Sequence, residues 1–290
     1  MVALAKETQQ IPYSSMTSAV ASEGLAVSAL SKAGAVLAEP DRWALFIDID
    51  GTLLSVAPTP DAVMVPAGLV QLLDGLASGL CGAIAILTGR RVADADRLFA
   101  PLKLVASGVH GTELRSERGG PIAMLAPAIS ADVIAAMNNI AGIASGILIE
   151  QKGCGVAVHY RNAPLARRAL ETELAAIIAA SSYDLVLRKG RKVLEAIPSG
   201  YSKGTALAAL LSRPPFKGRS PVMVGDDVGD ESAFMAAERL GGMGLRVAGE
   251  HFDKRDADFD GVAGVHAWLN ALAGRLALHG AAGGQSSHVG

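Results

Sequence analysis

The chain of 290 residues is poor in aromatic side chains (4 %), holds two cysteines, and has a formal net charge of −2. Each scarcity excludes something. A near-neutral balance removes the basic footprint expected of a general nucleic-acid binder. Cys81 and Cys154 lie in apolar contexts with no metal-type spacing, so two buried reduced thiols are expected rather than a disulfide or a zinc site. No apolar run reaches the roughly 18 residues of a membrane span. The first 38 residues lack the basic start and compact apolar block of a secretory signal. A soluble, cytoplasmic protein with no membrane partner is the default expectation, and oligomeric state is left open.

What is present is apolar: half of the residues are hydrophobic, enough for one large core or two modest ones. Residues 1–38 mix Ala, Ser, Thr and Gly and predict a mobile arm, partly helical from about Ala19 to Leu37. At the other end, residues 276–290 close on GAAGGQSSHVG and predict a disordered tail. Between them, WALFID, GAIAILTGR, LKLVASG, PVMVGDD and GMGLRVA are nearly continuous apolar runs, as in parallel strands covered on both faces. Helical patterns such as PAGLVQLLDGLASG, VADADRLF and ESAFMAAERL separate them. The alternation predicts an α/β fold with a doubly wound parallel sheet. From 113 to 196 the rhythm changes to helix–strand–strand, twice over. That predicts a small antiparallel sheet with two helices on one face, an α+β cap inserted into a core made of residues 39–112 and 197–275. Ligands in open α/β sheets bind beyond the carboxyl ends of the strands, so such a cap would lie over the site.

The strand ends carry the chemistry. The first finishes in Asp48-Ile49-Asp50-Gly51-Thr52, and carboxylates that close demand something positive beside them: a metal ion, a basic side chain, or at least water. The second ends in Thr88-Gly89-Arg90. A later strand ends in Gly225-Asp226-Asp227, followed by Asp230, and Ser202-Lys203-Gly204 opens the helix before it. Each pattern alone is ordinary: a DxD can be a solvated turn, TGR and SKG common helix starts, GDDxxDE an acid-rich helix N-terminus. In this order, each at an element end, they point to phosphoryl transfer through an aspartyl-phosphate. Asp48 would attack phosphorus, and Asp50 would exchange protons with the leaving oxygen and with water. Asp48 and Asp226 would hold Mg²⁺. Thr88 and Lys203 would bind phosphoryl oxygens, and Gly51 would permit the tight turn that aims backbone N–H groups at the anion.

With DIDGTL, TGR, SKG and GDDVGDE in that order, the chain resembles the haloacid dehalogenase (HAD) superfamily. Over about residues 42–272 it is further similar to trehalose-6-phosphate phosphatases, through GVHGTELR, LIEQKG with VAVHYR, and VLEAIPSGYSKGTAL. The resemblance implies a HAD-like, Rossmannoid core with a cap, Mg²⁺ as cofactor and trehalose 6-phosphate as the small-molecule substrate. It implies the Asp50 main-chain carbonyl as a further metal ligand. Glu150, Lys152 and Glu195 would grip the sugars, with Gly89 and Arg90 at the phosphate end. Asp227 would support the acidic turn, and Asp230 would orient Lys203 or a water on the metal. His110 has two open roles, lining the pocket or pinning its own loop. The basic run RKGRK, Arg188–Lys192, suits a solvated hairpin turn or an attractor of the anionic substrate. Two rival functions remain in view: a phosphatase for another sugar phosphate, and a non-catalytic sugar-phosphate sensor.

Overall fold

Five consecutive buried residues, Trp43–Ile47, form the first strand, and such a run is covered on both faces only inside a sheet. The computed structural model describes residues 31–57 and 62–284. Helix α1, Lys32–Ala38, is followed by β1, Trp43–Ile47; α2, Leu69–Gly79; β2, Ile84–Leu87; α3, Val92–Leu98; and β3, Val105–Gly108. Strands β4, Glu113–Arg115, and β5, Ala123–Met124, come next. Then α4, Ala131–Asn139; β6, Leu148–Gln151; β7, Val156–His159; α5, Arg167–Ala180; β8, Leu185–Gly190; and β9, Val193–Pro198 make the smaller lobe. The chain returns through α6, Lys203–Leu211; β10, Ser220–Gly225; α7, Glu231–Arg239; β11, Met243–Arg246; and α8, Val262–Gly284.

Seven strands make the large sheet in the order β11-β10-β1-β2-β3-β4-β5. The first five are parallel and the last two antiparallel. Chain order reverses at β1, which lies between β10 and β2. That is a topological switch point, where a crevice opens at the carboxyl ends of the strands. Ile47 pairs with Val224 and Ile86, so the residues that follow β1, β2 and β10 emerge at one edge of the sheet. The small sheet, β6-β7-β9-β8, is antiparallel throughout. Val158, Leu194 and Leu185 of one face share a core with Leu170 and Leu174 of α5 and with Val133 and Met137 of α4. The opposite face carries Glu150, Ala157, Glu195 and Arg188 in one cross-strand row.

Three expectations change, and the partly helical arm is met in its last residues. Residues 113–124 were expected in the inserted lobe, but β4 pairs with β3 and β5 with β4, extending the large sheet. Strands of three and two residues carry too weak a pattern to announce their partner. Residues 276–284 were expected to be disordered, yet they continue α8. Buried Val265, Trp268, Leu269, Leu272 and Leu276 anchor that helix, and the alanines beyond propagate it. The last residues of the expected arm are α1, which buries Ala33 and Val36 and packs on α8; residues 1–30 lie outside the described part, as do 285–290. Cys154 is buried as expected, whereas Cys81 is exposed, on a turn where its φ is +53°.

Candidate active site

Asp48 follows β1 directly and is buried with 5 % exposure. Lys203, at the start of α6, reaches it: Nζ is 2.7 Å from Asp48 Oδ1 and donates to Asp230 Oδ1 at 2.7 Å. A capping box at Ser202 and Thr205 fixes the first turn of α6 and so aims that lysine. Asp230 Oδ2 accepts the backbone N–H groups of Asp226 and Asp227, both at 3.1 Å. The Asp227 side chain caps the same turn by accepting from Val228 N. Asp226 Oδ1 accepts from the Thr52 hydroxyl at 3.2 Å. Gly51, with φ +87°, passes so close that a Cβ there would lie 2.0 Å from Asp226 Oδ2. Only glycine fits that approach.

The positive charge demanded by the Asp48–Asp50 pair is thus a basic side chain in each case, and a different one. Asp50 takes a two-pronged ion pair from Arg90, Nε to Oδ2 at 2.6 Å and a terminal nitrogen to Oδ1 at 2.7 Å. The Arg90 backbone N–H donates to Thr88 Oγ1 at 3.1 Å. Asp48, Asp226 and Asp230 offer carboxylate oxygens within 4.8 Å of one another, all buried. Three carboxylates face one ammonium. Burial, opposed by Lys203 but reinforced by Asp230, Asp226 and Asp50, pushes the Asp48 carboxyl well above its ordinary range. Burial, Asp230 and Asp227 push Asp226 up to about 7. Although burial works against it, Lys203 is held charged by Asp230 and Asp48. An acid excess of hard oxygen donors fits a hard divalent cation.

A cavity of about 1000 Å³ opens above this cluster, between the large sheet's carboxyl edge and the charged face of the small sheet. Asp48, Asp50, Gly89, Arg90, Lys203, Asp226 and Asp227 line its floor, while His110, Glu150, Lys152 and Glu195 line it toward the lobe. Gly51, Thr88 and Asp230 are not among the lining residues; they stand behind it. Lys152 Nζ donates to Glu195 Oε1 at 2.7 Å and to Gly89 O at 2.8 Å. His110 Nε2 lies 2.5 Å from Glu195 Oε2. Burial would raise Glu195, yet His110 and Lys152 hold it well below the usual carboxylate range. Glu150 is paired with His159 at 2.8 Å; burial pushes its carboxyl up, but the His159 contact and the Lys152 charge together hold it low. His110 lines the cavity, and its ring is held by Glu195.

The family profile described as trehalose-phosphatase matches residues 46–258. A probable trehalose-phosphate phosphatase of Sinorhizobium fredii is 43% identical over 211 residues, which cover 71% of this chain and 78% of that one. The chain belongs to the trehalose-phosphatase family. It is a phosphatase. Another family member, the trehalose-6-phosphate phosphatase of Escherichia coli, is 38% identical over 80% of this chain and 86% of its own. The fold agrees as well. The C-terminal domain of the C. albicans trehalose-6-phosphate phosphatase superposes with a TM-score of 0.71 at 20% identity, covering 83% of this chain and 96% of that one. The C-terminal domain of the Candida albicans trehalose synthase regulatory protein gives 0.60 at 17%, covering 83% and 97%.

Family motifs did not disclose every residue at the site. His159 and Arg161, in VAVHYR, line the cavity, and so do Arg188 and Arg191 of RKGRK, the run expected as a solvated turn or an attractor of the anionic substrate. Arg188 pairs with Glu195 across strands, donates to Tyr201 O at 2.5 Å and has its guanidinium pushed down by burial. Arg191 bridges to Glu250 at 3.0 Å and stands 3.9 Å from Asp226. Among the described residues, four buried side-chain nitrogens lack a partner, and three belong to this lining: His110 Nδ1, Arg188 Nε and Arg191 Nε. The signal that could have found Arg188 is its parity with Glu195 across a short hairpin.

Among the described residues, no helix is long and apolar enough to cross a membrane.

Proposed function

We propose that this phosphatase hydrolyses trehalose 6-phosphate to trehalose and phosphate, with Asp48 as nucleophile and Mg²⁺ as cofactor. The observation that carries the reading is the buried set of Asp48, Lys203, Asp226 and Asp230 at the floor of a cavity of about 1000 Å³, Asp230 standing just behind it, whose opposite wall carries Glu150, Lys152 and Glu195. The names of the relatives supply the substrate. An Asp48 carboxylate oxygen forms a bond to phosphorus as the bond from phosphorus to the sugar oxygen breaks, and the departing oxygen takes a proton from Asp50. Water then attacks phosphorus, Asp50 takes its proton, and the bond to Asp48 breaks to restore the carboxylate. Both Asp50 oxygens are engaged by Arg90, so this proton transfer requires that pair to part as the sugar phosphate enters.

Asp48, Asp226 and the Asp50 carbonyl would hold Mg²⁺, which when bound supplies neutralisation of the phosphoryl oxygens. Lys203 holds Asp48 in place and adds a fixed positive charge beside the phosphoryl group. Asp230 is a positioning residue, because one of its oxygens is spent on Lys203 and the other on two backbone N–H groups. Glu150, Lys152 and Glu195 bind sugar hydroxyls with the acceptor sites and protons left over from their mutual contacts. A non-catalytic sensor would not need Asp48, Asp50, Lys203 and Asp226 together.

Phosphate release from trehalose 6-phosphate, sucrose 6-phosphate and glucose 6-phosphate, each with Mg²⁺ and after rigorous chelation, tests this. Trehalose 6-phosphate should be preferred by about a hundredfold or more over glucose 6-phosphate, and chelation should abolish turnover until Mg²⁺ is returned. Preference for another sugar phosphate rejects the substrate; full activity in metal-free protein rejects the cofactor.

A further inference from the structure

The loop Val109–Gly111 joins parts of the site that come from four distant stretches of chain. Val109 and His110 both have positive φ, +44° and +53°. Such values are rare for side-chain-bearing residues, above all for a β-branched one, and persist where surrounding contacts over-determine them. Here Val109 N donates to Arg90 O at 2.9 Å and His110 N to Thr88 O at 3.2 Å. The loop is therefore stitched to the turn that carries Thr88, Gly89 and Arg90. Gly111 abuts Ser202, the cap of the helix bearing Lys203; a Cβ there would meet Ser202 O at 2.6 Å.

The unusual backbone turns the imidazole inward. A Cβ on Gly89 would come 2.7 Å from His110 Nε2 and 2.8 Å from Cε1, so that edge of the ring lies against the phosphate-end turn. It also stands near Gly229 in the acidic turn after β10. Its hydrogen bond runs away from the large sheet, to Glu195 on β9 of the lobe. The second ring nitrogen, Nδ1, is buried and has no partner among the described residues. The polar anchor of a ring seated in the core therefore belongs to the lobe. Glu195 passes the connection to Lys152, whose ammonium returns to Gly89 O. The circuit Gly89–His110–Glu195–Lys152–Gly89 closes on itself and crosses between lobe and core twice.

We propose that His110 is a positioning residue that transmits the seating of the lobe to the Thr88–Arg90 turn through its hydrogen bond to Glu195. The sugar-binding carboxylate and the phosphate-end turn then move as one unit, so a correctly held sugar sets the geometry at phosphorus. The inference rests on the substrate reading above for its kinetic test, and on the fold alone for its second test.

His110→Ala should lower kcat for trehalose 6-phosphate by about a hundredfold, as small misplacements do, with KM changed less than about threefold. His110→Gln, which keeps a side-chain N–H for Glu195, should recover most of the loss. The double variant with Glu195→Ala should be no more than about twofold worse than the poorer single one, because both break the same connection. A rise in KM at unchanged kcat would make the ring a direct sugar contact, and independent, multiplying losses would sever it from Glu195; either overturns the proposal. The second test needs no substrate and survives a misfolded His110→Ala. In ligand-free Glu195→Ala, amide hydrogen exchange over residues 86–91 and 107–113 should quicken by about tenfold or more, although the substitution lies in the lobe. Unchanged exchange there overturns the proposal, while failure to hydrolyse trehalose 6-phosphate with quickened exchange would reject the substrate and leave the coupling standing.

Discussion

Asp48 and Glu195 are both carboxylates with almost no exposure, 5 % and 4 %, and both contact a buried lysine at 2.7 Å. Their acidities nevertheless move in opposite directions, Asp48 up and Glu195 down. Burial acts alike on the two, so the neighbours decide. Around Asp48, one ammonium serves Asp230 as well, and Asp226 and Asp50 add negative charge. Around Glu195, each carboxylate oxygen has its own donor, Lys152 on one and His110 on the other. The floor of the cavity is an incomplete charge set that calls for a cation. The lobe face is a nearly complete one, and it can hold its shape before any sugar arrives.

Substitutions that remove one carboxylate from each set break this comparison most sharply. Asp48→Asn should lower turnover by roughly 10⁴-fold or more, measured as phosphate release by a protein checked for deamidation. Substantial residual turnover would end the covalent mechanism. Glu195→Gln should instead cost stability, about 3 kcal/mol by urea unfolding of the metal-free protein, because it leaves the Lys152 charge poorly matched. If Asp226→Asn cost as much, the floor would be as balanced as the lobe, and the contrast would fail.

Acidity sharpens the contrast further. Asp226 is ordinarily near 3.8 and stands near 7 in the fold, so the folded chain holds this proton more tightly than the unfolded one. Its contribution to stability is full below the ordinary value and is lost as pH rises through about 7. Metal-free protein should therefore weaken between pH 5 and about 8 in thermal melts, less so as Asp226→Asn, and added Mg²⁺ should reverse the loss. Glu195 works the other way: its contribution is present above the ordinary 4.5 and is lost as pH falls through its depressed value. The smallest effect is expected at Arg188, which lines the cavity and carries one buried N–H without a partner among the described residues. Arg188→Gln should raise KM for trehalose 6-phosphate by about threefold to tenfold, the scale of one hydrogen bond, with kcat held.

Much of the site could be read without coordinates, because it stands where local patterns end. A run such as ALFI announces a doubly covered strand, and whatever follows it, here Asp48, falls at the sheet's carboxyl edge. Thr88 and Asp226 were legible for the same reason, and Lys203 because a serine directly before it marks the helix start. The partner of each group was not legible. Asp50 and Arg90 are forty residues apart, and only adjacency of β1 and β2 brings them within 2.7 Å. His110 and Glu195 meet across eighty-five residues and two different sheets.

By itself, the sequence determined the parallel strands of the large sheet, the acidic and basic residues at their ends, and the order of the four motifs. Periodicity, capping and turn chemistry act over a few residues, and a single chain displays them openly. Tertiary structure decided how charge is shared: that Lys203 spans Asp48 and Asp230, that Arg90 restrains Asp50, that β4 and β5 join the large sheet, and that Arg188 stands in the row of Glu195. Those facts depend on sheet order and strand register. One step of register turns a side chain to the opposite face, and no local pattern records which strand will be the neighbour.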